Sequence, residues 1–157
     1  MAADSMVVYD DFKNYLGDGT IDMDGDVFYD SLYLSTSNCG TRGVGTGLKA
    51  DLTNEHATAN GYVQGGQVCA SPTYTEPVAG TWMFDHADFA PYDTASGGSI
   101  VARFMVTWDD TPTSPADPLV GFVLMDNSPA DITVTDTNDL NYTIHASGIW
   151  RLSGAET

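Results

Sequence analysis

Positive charge is what this sequence has least of: five Lys and Arg stand against 22 Asp and Glu in 157 residues, a formal charge of −17. Affinity for phosphate comes from Lys and Arg releasing counterions, so neither nucleic acid nor an anionic membrane surface is an expected partner. Cysteine is nearly as scarce. Cys39 and Cys69 are too few for a disulfide framework and have no neighbour at metal-ligand spacing. Two buried free thiols are the expectation, a single bridge the alternative. Long apolar runs are missing too: nothing approaches the length of a membrane span, and Met1 to Asp11 carries acidic residues and no basic one. No transmembrane helix or secretory leader is therefore expected.

Glutamate is rare, so the acidity is almost all aspartate, accompanied by abundant Gly, Thr and Ser. These residues favour turns and strand ends over helix interiors. Short strand signals recur between them: the alternating stretch Val27 to Leu34, Tyr62-Val63, Gln67 to Thr75, Gly80 to Phe84, Ile132 to Thr135, Leu140 to His145 and Gly148 to Leu152. Ile100 to Trp108 reads as one strand with Ile100, Ala102, Phe104, Val106 and Trp108 on a single face. The uninterrupted apolar run Leu119 to Met125 reads as a central strand buried on both sides. The pattern predicts an all-β single domain over residues 1–157, an antiparallel β-sandwich of jelly-roll or Ig-like type with one short N-terminal α-helix over about residues 9–16. Residues 35–60, with Gly40, Gly43, Gly45 and Gly47, read as a long surface loop whose shortening costs little closure entropy.

Several patterns suggest chemistry without completing it. Asp22, Asp24 and Asp26 match the first half of a calcium loop, but Val27 stands where glycine is needed and Tyr33 where a bidentate glutamate belongs. Those three aspartates are the candidate metal ligands, and a solvated acidic turn is the competing expectation. Gly43 to Lys49 lacks both the dinucleotide and the P-loop spacing and reads as flexible loop. His56, His86 and His145 are scattered; His86 lies between Asp85 and Asp88, where a carboxylate could orient its ring. No serine-nucleophile signature accompanies it, so no catalytic residue, cofactor or enzymatic activity is expected. Trp82, Trp108 and Trp150 lie in or beside strands and read as core, with Phe84, Phe104, Phe122, Val106, Leu124 and Ile149.

The opening combines a helix and a strand. Phe12, Tyr15 and Leu16 share one helical face, Asp10, Asp11 and Asn14 the other, and Gly17 and Gly19 stop the helix before Thr20-Ile21-Asp22 and the first long strand. This helix-GDGTID-strand opening resembles a family of small virion structural proteins of tailed bacteriophages. Gly61-Tyr62-Val63-Gln64-Gly65-Gly66-Gln67, Ala79 to Phe89, Arg103 to Asp110, Pro118 to Phe122 and Tyr142 to Leu152 are similar to further segments of that family in the same order. The resemblance implies a virion structural protein, preferably a decoration (cement) protein on the outer surface of the capsid. The alternatives are a tail or head-fibre component, and a carbohydrate-binding module on a tail. It implies the major capsid protein and further copies of this chain as partners, with a trimer preferred over a dimer. Residues 35–60 and the termini would then supply contacts, with Arg42, Val44, Leu48, Lys49 and Leu52 as the candidate interface residues.

Overall fold

The computed structural model describes residues 6–45, 47–126, 131–144 and 148–153. The chain is an all-β, antiparallel, sandwich-like fold with one short α-helix. Its elements are β1 (Val7–Val8), α1 (Phe12–Gly17), β2 (Phe28–Tyr33), β3 (Gln67–Val68), β4 (Thr73–Val78), β5 (Thr81–Asp85), β6 (Phe89–Thr94), β7 (Ile100–Ala102), β8 (Phe104–Asp109), β9 (Leu119–Leu124), β10 (Ile132–Val134), β11 (Asp139–Tyr142) and β12 (Trp150–Ser153). A five-stranded sheet in the order β1-β9-β8-β2-β3 is accompanied by the three-stranded sheet β12-β5-β4 and by the pairs β10-β7 and β11-β6.

The five-stranded sheet is central because its strands have no polar face to give to water. In β9, Leu119 to Val123 are all buried, as the apolar run requires, and β2 and β8 are nearly as enclosed. One core cluster gathers Phe28, Val106, Trp108, Val120 and Phe122 from this sheet with Phe84, Trp150 and Phe12. Edge-on contacts of Phe28 with Phe84 (centroids 5.1 Å apart) and of Phe12 with Trp150 (5.3 Å) join the sheets and dock the helix. A second cluster places Leu32 and Met105 under Tyr92, Ile100, Ile132, Leu140 and Tyr142.

The helix forms on the expected face: Phe12 is buried and Tyr15 and Leu16 pack against the core. Gly19 then takes a positive φ of 77°, the conformation that turns the chain, and Ile21 and Met23 are driven into the core, each 2% exposed. The GDGTID segment is thus a structural corner with an acidic outside.

Four sequence expectations need correction. Ile100 to Trp108 is not one strand. It breaks at Arg103, whose N–H donates to the Tyr33 carbonyl and whose carbonyl accepts from Met125 N–H, so that β7 leaves the central sheet to pair with β10 while β8 stays. Ile100 and Ala102 consequently belong to a different cluster from Val106 and Trp108. A strand that changes sheets at a corner keeps its alternation but not its partners. Tyr62-Val63 lies in a turn closed by reciprocal hydrogen bonds between Ala59 and Tyr62, and Gln67 to Thr75 divides into β3 and β4. Trp82 is not core: it is 40% exposed.

The fourth correction concerns residues 35–60. Two 3-10 turns, Asn38–Gly40 and Lys49–Asp51, fold this excursion, and Cys39, Val44 and His56 are buried within it. Backbone bonds tie it to β2 through His56 N–H to the Leu32 carbonyl and Leu34 N–H to the Asn54 carbonyl. The Gly43 to Lys49 stretch is pinned as well, since Leu119 N–H donates to the Gly47 carbonyl. Within it, Thr46 lies outside the described residues. A segment with this many internal bonds and buried apolar groups is a covering layer, not a free loop.

Candidate functional site

The acidic turn uses its carboxylates on its own backbone. Asp22 Oδ1 accepts from Asp24 N–H at 3.1 Å, and Asp26 Oδ2 accepts from Asp22 N–H at 2.7 Å. Asp22, Asp24 and Asp26 do not converge on a common point. Among the described residues, a set of three ligating groups with donor atoms within 4.8 Å of one another occurs elsewhere, at Asp30, Cys69 and His86. One member of the acid-rich corner is unusual. Asp109, the last residue of β8, is 0% exposed, and its Oδ2 has no hydrogen-bond partner. Burial pushes its carboxyl up to about 7 against the lowering effect of the Thr111 N–H, and the neighbouring Asp26 adds to the rise.

The candidate interface residues are largely engaged inside the molecule. Arg42 is exposed, pairing with Asp10 at 3.3 Å and donating Nε to the Val8 carbonyl at 3.1 Å. Val44 is core. Leu52 packs against the same cluster, and Leu48 bridges to Pro118. Lys49 lies over the Trp108 ring at 4.1 Å and pairs with Glu55 at 4.0 Å.

A buried polar knot occupies the junction of β2, β8 and the β5–β6 connection, and it was not read from the sequence. Asp30 sits directly across the sheet from Thr107. Its Oδ1 accepts from the Thr107 hydroxyl at 2.5 Å, its Oδ2 lies 3.1 Å from His86 Nε2, and its carbonyl accepts from the Tyr92 hydroxyl at 2.5 Å. The other ring nitrogen, His86 Nδ1, is 2.8 Å from the Ala87 carbonyl. Cys69, immediately after β3, completes the group and is held by its N–H to the Phe28 carbonyl. Asp30, Cys69 and His86 are 1%, 2% and 6% exposed.

Electrostatics follows from that enclosure. Burial on its own lowers the His86 pKa, but the hydrogen bond and charge of Asp30 outweigh it and the net direction is upward. Burial above all, and then the Asp30 charge, holds the Cys69 thiol well above its ordinary range. A thiol so placed is protonated and a poor nucleophile. The order of groups points the same way: nucleophilic triads put the imidazole between thiol and carboxylate, whereas here the carboxylate stands in the middle. The carboxylate that orients His86 is thus neither Asp85 nor Asp88 but Asp30, 56 residues away. A signal was present: an aspartate in the interior of the largely apolar strand Phe28–Tyr33 must find partners if it is buried. Of the three histidines, His145 lies outside the described residues.

Large exposed apolar residues are spread over the surface: Val27, Val63 and Val68 lie away from the three-stranded sheet, and Val78, Trp82 and Leu152 lie on it, 63%, 40% and 50% exposed. Leu152 pairs directly with Trp82. The Tyr74 and Trp82 ring centroids are 5.0 Å apart, with the rings tilted by 31°. Next to them a groove of about 330 Å³ is lined by Val8, Phe12, Leu16, Trp150 and Leu152, with Lys13 and Arg151 also along it. Comparison with protein-family models, curated proteins and solved structures gives no match.

Proposed function

We propose that this protein is a structural component of a bacteriophage virion, a decoration protein that binds the outside of the major capsid shell as a homo-oligomer. The observation that carries this reading is the exposed cross-strand pair Trp82 and Leu152, with Leu152 also lining the α1/β12 groove, on an otherwise strongly acidic molecule. Large apolar side chains that cluster on one sheet face mark a protein contact surface, and a net charge of −17 keeps the module away from the packaged genome. The resemblance of the helix-GDGTID-strand opening to phage virion proteins supports the setting, and closed symmetric assembly supports the oligomer. The folding of the 35–60 excursion onto the core supports a contact surface on the β4-β5-β12 sheet in preference to that excursion.

The experiment is co-sedimentation with capsid shells lacking this chain. The wild-type protein is expected to pellet with the shells, and the doubly substituted Trp82→Asp, Leu152→Asp protein to remain in the supernatant while melting normally. Equal binding by both proteins would remove the pair from the account; binding by neither would remove the capsid.

A second reading has one observation in its favour: the exposed Trp82 next to Tyr74 is a ready stacking platform for a sugar ring, as a carbohydrate-binding module on a tail would need. Quenching or blue shift of tryptophan fluorescence by host polysaccharide, lost in Trp82→Ala, would favour it over the capsid reading.

A further inference from the structure

We propose that Asp30, Cys69 and His86 form an internal binding site for a divalent ion of the zinc class, placed to lock the central sheet to the β5–β6 connection. A thiol, an imidazole and a carboxylate from three separate parts of the chain bring their donor atoms within 4.8 Å of one another in the interior. This mixed S, N, O set suits a borderline-soft ion and not calcium or magnesium, which take oxygen.

The surroundings are those of ligands held for a metal. His86 Nδ1 is 2.8 Å from the Ala87 carbonyl, which requires the proton on that nitrogen and makes Nε2 the ring atom turned to the cluster. Thr107 holds the outer oxygen of Asp30, as the partner of a ligating carboxylate does. Both backbones are tethered, Cys69 through Phe28 and Ala87 through its N–H to the Ala70 carbonyl.

Charge makes the same case. With its proton on Nδ1, the ring turns a lone pair toward a carboxylate oxygen only 3.1 Å away, an arrangement that requires a positive charge between them. A divalent ion on one thiolate, one carboxylate and one neutral imidazole leaves the site with no net charge, the condition a buried cluster needs. Binding releases the thiol proton to solvent, and no bond is oxidised or reduced. A proton on Nε2 is the rival cation; it would leave Asp30 bridging His86 and the Cys69 thiol as a hydrogen-bonded group without metal.

Cobalt(II) distinguishes the two in the intact protein. Metal-free protein titrated with cobalt(II) is expected to develop a thiolate-to-metal charge-transfer band at one equivalent, displaced by zinc, with a rise in Tm for either ion. Cys69→Ser should abolish the band, and Cys39→Ser should keep it, since the Cys39 thiol lies outside the cluster. Protein that takes up neither ion, gives no charge-transfer band and shows both His86 ring nitrogens protonated by NMR would overturn the proposal and assign the positive charge to a proton. A band that survives Cys69→Ser would place the metal elsewhere, which also overturns it.

Discussion

Replacing Asp109 with asparagine is expected to stabilise the protein at neutral and alkaline pH and to change little near pH 4. The Asp109 carboxyl is fully buried, one of its oxygens is unpartnered, and Asp26 stands beside it. Its folded pKa of about 7 lies above that of a free carboxyl, 3.8. Below about pH 4 both folded and unfolded chains carry the proton and nothing is lost. As pH rises toward about 7 the unfolded chain releases its proton first, so stability falls, and above about 7 the loss is constant. At about 1.4 kcal/mol per pH unit, the span from 3.8 to about 7 sets a ceiling of roughly 4 kcal/mol. Asp26 is partly exposed to water, which reduces that, so the expected gain for Asp109→Asn at about pH 8 is roughly 2–4 kcal/mol. The amide oxygen keeps the Thr111 N–H bond, and the amide NH2 gives the unpartnered position a donor facing Asp26. Urea unfolding of both proteins between about pH 4 and pH 8 measures the difference directly, with carboxylates distant from Asp109 and Asp26 cancelling between the two proteins. A difference that does not grow with pH, or an asparagine variant less stable than wild type at about pH 8, would refute the reasoning.

Two substitutions and one deletion test the packing. Phe12→Ala should cost roughly 3–5 kcal/mol in denaturant unfolding, because Phe12 is 2% exposed and fills the gap between α1 and Trp150. Gly66→Ala should prevent folding or lower Tm steeply, measured by circular dichroism, because Gly66 has φ of +79° and a Cβ there would come 1.9 Å from the Asp30 carbonyl oxygen. Deleting residues 50–60 should abolish the cooperative melt, since it removes the His56–Leu32 and Leu34–Asn54 backbone bonds and the Glu55 carboxylate that accepts from Tyr62 and Gly65. A variant of that length with a sharp transition would restore the picture of a dispensable loop.

Local patterns carried the fold far. The continuous apolar run of β9 and the i, i+3, i+4 face of α1 each have one physical reading, and the structure agrees with it; β2 forms where the alternation puts a strand but is buried on both faces. What was not legible depends on distant partners. The break at Arg103 is invisible to alternation because both halves alternate; only the Tyr33 and Met125 backbone bonds divide them. Pro91 hid β6, and the glycines of residues 35–60 suggested mobility where long-range bonds impose order. Trp82 fits a core strand by type, but its strand runs past the edge of the core, and no residue beside it in sequence reveals that. The Asp30–His86–Cys69 cluster is similar in kind: three elements far apart in the chain meet, and of the three residues only Asp30, inside a largely apolar strand, announces that it needs a partner.

Quantitative gel densitometry of purified virions, with this chain compared against the major capsid protein, tests the virion-decoration reading most directly. The account predicts hundreds of copies per particle, in a fixed ratio to the capsid subunit. A handful of copies per particle, or none, would contradict it.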